Sequence, residues 1–168
     1  MFKWIGCCSA KTFCKKGVWR CNELRSRLCC EKVYQELLQI TDESKIMKYK
    51  ADVVNRQQVS AMFDEIVDKF GRVDILINFA GINRDAPFVE LTDEQWDSVV
   101  SVHLKGHFVC SQEYVLHNPD REGLIINLGA ACGQIGRKNG ANFCSAKGGI
   151  IALTKCMALE LAPRIRVN

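Results

Sequence analysis

The fold of this 168-residue chain is decided by the stretch Val73-Asp-Ile-Leu-Ile-Asn-Phe-Ala-Gly81. It begins with a short, nearly continuous apolar run, which is typical of a parallel strand that is covered on both faces. Small residues follow, and at the carboxyl end of a strand they let a ligand approach the backbone closely. The stretch therefore predicts a buried parallel strand that ends in a ligand-binding turn.

A helix is predicted before this strand. Asn55 and Gln58 have the spacing of a capping box at its start, and Gly71 is a C-terminal cap at its end. The apolar residues between them recur on one helix face; they are Val59, Met62, Phe63, Ile66, Val67 and Phe70. Further upstream, residues 31–40 favour a short helix, and residues 45–52 favour a strand.

Three more elements are predicted after the strand. Thr92 and Gln95 form a second capping box, which opens a helix from about Asp93 to Val115. A buried strand follows at residues 123–128, and a helix runs from about Asn142 to Leu161. Strands that alternate with crossover helices predict an α/β fold with a doubly wound parallel sheet.

Composition narrows the classes of function. With 48% hydrophobic and 25% charged residues, the chain is typical of an ordinary soluble domain. Its excess positive charge lies in residues 1–30, which argues against a nucleic-acid-binding core. No apolar run approaches the roughly 20 residues of a membrane helix, and the start does not resemble a signal peptide. The cysteine spacing indicates no metal site. We therefore expect a cytoplasmic protein with no nucleic-acid or membrane partner.

Several short motifs follow one another in a fixed order between Glu31 and Asn168. They are Asp52-Val53, Asn78-Phe79-Ala80-Gly81, Thr92-x-Glu94-x-Trp96, Leu104-x-Gly106, Ile126-Asn127, Ala146-Lys147-Gly148-Gly149 and Ile165-Arg166-Val167-Asn168. In order and spacing they resemble the short-chain dehydrogenase/reductase family, most of all its 3-oxoacyl-acyl-carrier-protein reductase branch. The resemblance implies a Rossmann-type fold, an NAD(P)-dependent ketone/alcohol interconversion by hydride transfer, and a place in fatty acid biosynthesis.

The resemblance also implies a cofactor site. Asp52 and Val53 would face the adenine of the cofactor. The turn Asn78-Phe79-Ala80-Gly81 would lie along its ribose, with Phe79 in place of a second Asn. The family's glycine-rich phosphate loop has no counterpart before Glu31, so we expect weak binding of NADP or NAD.

The catalytic site that the resemblance implies is altered in this sequence. The family uses a Tyr proton donor, a Lys that lowers the pKa of that Tyr, a Ser that binds the substrate oxygen, and an Asn that orders a water. Lys147 is in place, whereas Phe143 stands at the Tyr position, Ala130 at the Ser position and His103 at the Asn position. Neither Phe nor Ala carries a proton to give, so we expect impaired activity. His103 is either a new proton carrier or a hydrogen-bonded packing residue.

Residues 1–30 fit none of these patterns. They contain seven Lys or Arg, one acidic residue and six of the ten cysteines, with no hydrophobic period. We expect an unmatched segment there, neither strand nor helix, followed at residues 31–168 by a partial Rossmann-type domain whose sheet lacks its central strand. The family's last strand and helix would lie beyond Asn168, which leaves the substrate pocket incomplete.

Three hypotheses about function follow. The first is a reductase that takes a small-molecule ketone or acyl thioester as substrate. The second is a non-catalytic subunit that forms a homo-oligomer or hetero-oligomer through the two long helices. The third is a truncated or damaged gene product, and it depends on the missing central strand, which would expose sheet edges.

Overall fold

The computed structural model describes residues 34–168 in full, together with the backbone of two strands, Trp4–Cys7 and Val18–Cys21. Among these residues, no helix combines the length and the apolar character that crossing a membrane requires.

The described residues form one parallel sheet of six strands with helices packed against it. The strands are β1 (Trp4–Cys7), β2 (Val18–Cys21), β3 (Lys48–Lys50), β4 (Ile75–Asn78), β5 (Gly123–Asn127) and β6 (Ile165–Val167). Across the sheet they lie in the order β3-β2-β1-β4-β5-β6, and neighbouring strands are parallel. The strand order reverses between β1 and β4, as in dinucleotide-binding folds. The predicted doubly wound α/β fold is therefore confirmed.

The helices follow the predicted order. They are α1 (Arg56–Phe70), α2 (Asp93–Val100), α3 (Gly106–Leu116), α4 (Cys132–Ile135) and α5 (Ala141–Leu161), with a π-helical segment at Ser101–Lys105 and helical backbone at 34–38. Thr92 opens α2 with the predicted capping box, in which Gln95 takes part through both its backbone and its side chain.

The ends of α1 are set by local hydrogen bonds. The Asn55 side chain accepts a hydrogen bond from the backbone N–H of Gln58, and Gly71 ends the helix in the left-handed region at φ 78°. The predicted capping box is only half correct, because the Gln58 side chain accepts from the backbone N–H of Asp52 and not from that of Asn55. Gln58 thereby ties the end of the β3 connection to the first turn of α1.

The central strand of the sheet is present, and the expectation for residues 1–30 is wrong in two places. Backbone at Trp4–Cys7 and Val18–Cys21 is strand, and Ile5 pairs with Val18 on one side and Leu76 on the other. Each stretch is four residues long, too short to show a period against the surrounding Lys and Cys. The premise of the damaged-product hypothesis, a sheet without its central strand, is therefore wrong.

The long helix predicted from Asp93 to Val115 is interrupted. Between α2 and α3 the backbone is π-helical, and Gly106 N–H reaches the carbonyl of Ser101, five residues earlier. Such segments are frequent at functional sites, because one inserted residue re-aims the side chains around it. Here the segment carries His103. No residue type in this stretch indicates the interruption.

Candidate functional site

Most of the predicted site residues lie near the carboxyl edge of β4 and β5, whereas Asp52 and Val53 follow β3. Asn78 and Asn127 end these two strands and are paired in register. In open α/β sheets, ligands bind outside the carboxyl ends of the strands. The turn after Asn78 and the loop after Asn127 therefore border the candidate site.

Asn78 joins three elements. Its side-chain Nδ2 donates to Ser111 Oγ and to Asn127 Oδ1, both at 2.9 Å, and its carbonyl accepts from Leu128 N–H at 3.1 Å. Only 6% of Asn78 is exposed. Since an amide nitrogen carries two hydrogens, both are used inside the protein. Asn78 therefore links the edge of the site to α3 and β5.

The turn after β4 is shaped by a close approach between Gly81 and His103. A Cβ added to Gly81 would overlap His103 Cε1 and lie 2.9 Å from both ring nitrogens. A side chain at position 81 would therefore push the ring away. Phe79 is exposed and Ala80 is buried, so the turn presents an aromatic ring and glycine backbone to solvent.

His103 fastens this turn to the π-helical segment. Its Nε2 lies 3.0 Å from Ile82 N and 2.8 Å from Ile82 O, so it accepts from the N–H or donates to the carbonyl according to the tautomer. The ring is 3% exposed, and Nδ1 has no partner among the described residues. Burial lowers the pKa of His103, the contact with Ile82 opposes this, and the Lys147 charge lowers the pKa further. Burial therefore favours the neutral imidazole.

Phe143, at the expected Tyr position, is surrounded by cations. Its ring meets His103 edge-on at 5.0 Å between centroids. The Arg137 guanidinium lies 4.9 Å and Lys147 Nζ 5.6 Å from the ring centroid. Arg137 also pairs with Asp85 at 2.6 Å, which ties the loop after the turn to the loop that precedes α5. Cations near a phenol lower its pKa, so these surroundings would suit a Tyr hydroxyl at position 143, where this chain has Phe.

Lys147 is buried at the edge of the site, with 3% exposure. Its Nζ donates to the carbonyl of Leu128, just after β5. Burial lowers the pKa of Lys147 to about 8, opposed by Cys132. An ammonium has three N–H donors, so among residues 34–168 two of them remain beyond the bond to Leu128. Lys147 can therefore bind hydroxyl or anionic groups of a ligand.

Two glycines after Lys147 let α5 approach its neighbours. A Cβ on Gly148 would lie 3.0 Å from the Gly133 carbonyl oxygen, and one on Gly149 would lie 2.8 Å from Leu104 Cδ2. The Lys-Gly-Gly motif thus has a packing function: it seats α5 against α4 and against the π-helical segment. That seating carries Lys147 to the carboxyl end of β5.

Ala130, at the expected Ser position, lies two residues beyond Leu128. It is half-buried, and its carbonyl accepts from Gly133 N–H at 3.0 Å at the start of α4. Its methyl group offers no hydrogen bond to a substrate oxygen. The structure thus brings Phe143, His103 and Lys147 together and places Ala130 on the loop that Lys147 binds.

The expected adenine end is formed by two residues in different environments. Asp52 is exposed, and its Oδ1 accepts from Val54 N–H at 3.0 Å. Val53 is buried, and a Cβ on Gly106 would lie 3.0 Å from its Cγ2. The Val53 side chain packs against the start of α3, so Asp52 is the accessible member of the pair.

Sequence reasoning missed His107. It lies one turn after His103, is fully buried, and its Nε2 has no partner among the described residues. Burial and, next, the Lys147 charge lower its pKa to about 3. The spacing of four residues between the two histidines places them on one helix face and was the available signal.

Known proteins with similar sequences identify the family of this chain. The family model for short chain dehydrogenase matches residues 3–168. The 3-oxoacyl-(acyl-carrier-protein) reductase FabG of Thermotoga maritima is 40% identical to this chain over 126 residues. The FabG of Staphylococcus aureus is 41% identical to it over 121 residues. These matches cover 74% and 71% of this chain but 51% and 49% of the relatives, so the chain spans about half of their length.

A solved structure shares the whole fold. The crystal structure of a short chain dehydrogenase from Mycobacterium smegmatis superposes with a TM-score of 0.86 at 24% identity, covering 99% of this chain and 73% of that chain. At this identity the likeness concerns the fold alone. Together with the family match over residues 3–168, it confirms the resemblance read from the sequence. The chain belongs to the short-chain dehydrogenase family.

Proposed function

We propose that this chain is an NAD(P)-dependent oxidoreductase that interconverts ketones and alcohols, with 3-oxoacyl thioesters as its substrate class and impaired proton delivery. The observation that carries the proposal is Lys147, buried at the carboxyl edge of the sheet with two N–H donors to spare among residues 34–168. A buried ammonium costs free energy unless a ligand or a partner compensates it, which indicates a binding role.

The residues at this edge fit a nicotinamide dinucleotide. Lys147 would bind the hydroxyls of the nicotinamide ribose, Asp52 would lie at the adenine, and the turn from Asn78 to Gly81 would lie along the other ribose. When bound, the cofactor supplies the hydride. The region between β1 and β2, where the family holds the pyrophosphate, falls outside the described residues, and its sequence carries no glycine-rich loop. We therefore predict weak binding, with NADP and NAD both as candidates.

Proton delivery limits the proposed reaction. A positioned general acid contributes about 10²–10⁴ in rate, and an oxyanion donor about 10²–10³. Phe143 and Ala130 supply neither. Lys147, with a pKa of about 8, is mostly protonated at pH 7 and would bring a positive charge to a bound substrate carbonyl. That charge would stabilise a developing alkoxide.

Cofactor binding is the first test. NADPH and NADH are titrated separately while nicotinamide fluorescence and the melting temperature of the protein are followed together. Saturable binding of either cofactor, even if weak, together with a raised melting temperature supports the proposal. Lys147→Met should weaken binding about tenfold or more, and Lys155→Met, an exposed lysine two turns along α5, is the matched control. Absence of binding by both cofactors refutes the oxidoreductase proposal.

Restored turnover is the second test. The double variant Phe143→Tyr with Ala130→Ser should raise the reduction of a 3-oxoacyl thioester at least about 100-fold, because it returns both missing groups. Phe143→Leu with Ala130→Ser is the matched control, since it changes the same positions without a phenol. Equal rates for both variants would show that the site does not perform this chemistry.

An oligomer through α3 and α5 is also proposed. Each helix carries large apolar side chains in contact with solvent, Phe108 and Leu116 on α3 and Leu159 on α5. Apolar side chains of this size are a favourable interface for a second copy of the chain or for a related subunit. Light scattering coupled to size exclusion tests this, and a monomeric mass at 100 µM would refute it. A cytoplasmic location remains a prediction, checked by cell fractionation.

A further inference from the structure

The backbones of α4 and α5 touch beside the candidate site. A Cβ added to Gly133 would lie 2.7 Å from Gly148 N and 2.7 Å from the Lys147 carbonyl carbon. Cys132 directly precedes Gly133, and Cys144 lies one helical turn before Gly148. Each helix therefore carries a cysteine next to the point of closest approach.

The two thiols are in contact. Their side chains share a hydrogen bond, and both cysteines are free and half-buried, within reach of a small reagent. A disulfide needs Cα atoms about 4.4–6.8 Å apart, and the close approach of the two backbones at Gly133 and Gly148 favours such a spacing for Cys132 and Cys144. The proposed reductase chemistry uses neither sulfur.

We propose that Cys132 and Cys144 form a redox-active dithiol that closes to a disulfide between α4 and α5 when hydrogen peroxide oxidises it. One thiol attacks the peroxide: an S–O bond forms, the O–O bond breaks, and one water leaves. The second thiol attacks the resulting sulfenic acid: the S–S bond forms, the S–O bond breaks, and a second water leaves. The two sulfurs lose two electrons in total, and the peroxide gains them.

The disulfide would act on the candidate site directly. It links the loop that carries Ala130 to the helix that carries Phe143 and Lys147. Cys132 also interacts with the Lys147 charge, so loss of the thiol changes the surroundings of that ammonium. Burial and the neighbouring Cys144 raise the pKa of Cys132, so oxidation should be slow at pH 7 and faster at pH 9.

Peptide mapping of the full chain tests the proposal. The native protein is treated with hydrogen peroxide at a few molar equivalents, its remaining thiols are blocked with N-ethylmaleimide, and it is digested with trypsin without reduction. Cleavage after Arg121, Arg137, Lys138 and Lys147 yields peptides 122–137 and 139–147, each with one cysteine. The expected product is the two peptides joined with the loss of two hydrogens, and dithiothreitol should separate them.

Three controls make the result decisive. Cys132→Ser and Cys144→Ser should each abolish the linked product, and Cys156→Ser, at the exposed cysteine on α5, should leave it unchanged. The same oxidation in 8 M urea measures random pairing among the ten cysteines. In the native chain the 132–144 link should exceed this random level at least about tenfold. The proposal is overturned if the 132–144 link in the native chain is no more abundant than in urea, or if links to Cys156 are equally abundant. This outcome does not depend on the result of the cofactor titration.

Discussion

Replacing Asn78 by Ala should lower the free energy of unfolding by about 2–4 kcal/mol. The Asn78 side chain donates to Ser111 Oγ and Asn127 Oδ1, both at 2.9 Å. Ser111 is buried and Asn127 is half-buried, so both lose a partner that water does not readily replace. Each acceptor left without a partner costs about 1–3 kcal/mol. For a domain of this size, the loss corresponds to a fall of roughly 5–15 °C in melting temperature.

The assay is a double-mutant cycle with Asn127→Ala, followed by urea and thermal denaturation with circular dichroism. Residues in direct contact have coupling energies of about 0.5–3 kcal/mol, and we expect about 1 kcal/mol here. Asn83→Ala is the matched control: this residue is exposed on the loop after the turn, and its change should stay within about 0.5 kcal/mol.

Two results would refute this reasoning. If Asn78→Ala lies within about 0.5 kcal/mol of the wild type, the buried amide does not hold the site edge together. If the single changes of Asn78 and Asn127 add within about 0.3 kcal/mol, the two side chains act independently.

Three further outcomes are expected. Gly81→Ala should lower the free energy of unfolding by about 1–3 kcal/mol, because its Cβ would displace the buried His103 ring. Gly129→Ala is the control: its Cβ would meet only Ile151 among the described residues, at 3.9 Å, so its thermal unfolding should be nearly that of the wild type. Folding lowers the pKa of Lys147 to about 8, so above this pH the unfolded chain binds more protons than the folded chain. The free energy of unfolding of the wild type should therefore rise by about 2 kcal/mol from pH 7 to 10, relative to that of Lys147→Met, in urea titrations. Folding lowers the pKa of His107 to about 3, so as the pH falls the unfolded chain takes up a proton before the folded chain does. From pH 7 to 5 the free energy of unfolding of the wild type should fall by about 2 kcal/mol relative to that of His107→Gln. Parallel pH profiles of the two proteins would contradict this.

Much of the fold could be predicted because its signals are local. The ends of α1 depend on Asn55 and Gly71, and the start of α2 on Thr92 and Gln95, each within four residues of its partner. The motifs between Glu31 and Asn168 identified the family and the positions of the site residues. The same reasoning could not find β1 and β2, because a strand of four residues among Lys and Cys has no period to detect.

What the sequence by itself determined is therefore the fold class, the family, and the replacement of the expected Tyr and Ser by Phe143 and Ala130. Only the tertiary structure decided how the site is held together. Asn78 reaches Asn127 across 49 residues of chain, and His103 reaches Ile82 across 21. Caps and helix faces arise from contacts within a few residues, so they are visible in the sequence. Contacts between distant segments depend on the geometry that the whole chain adopts, and no local pattern of residues indicates them.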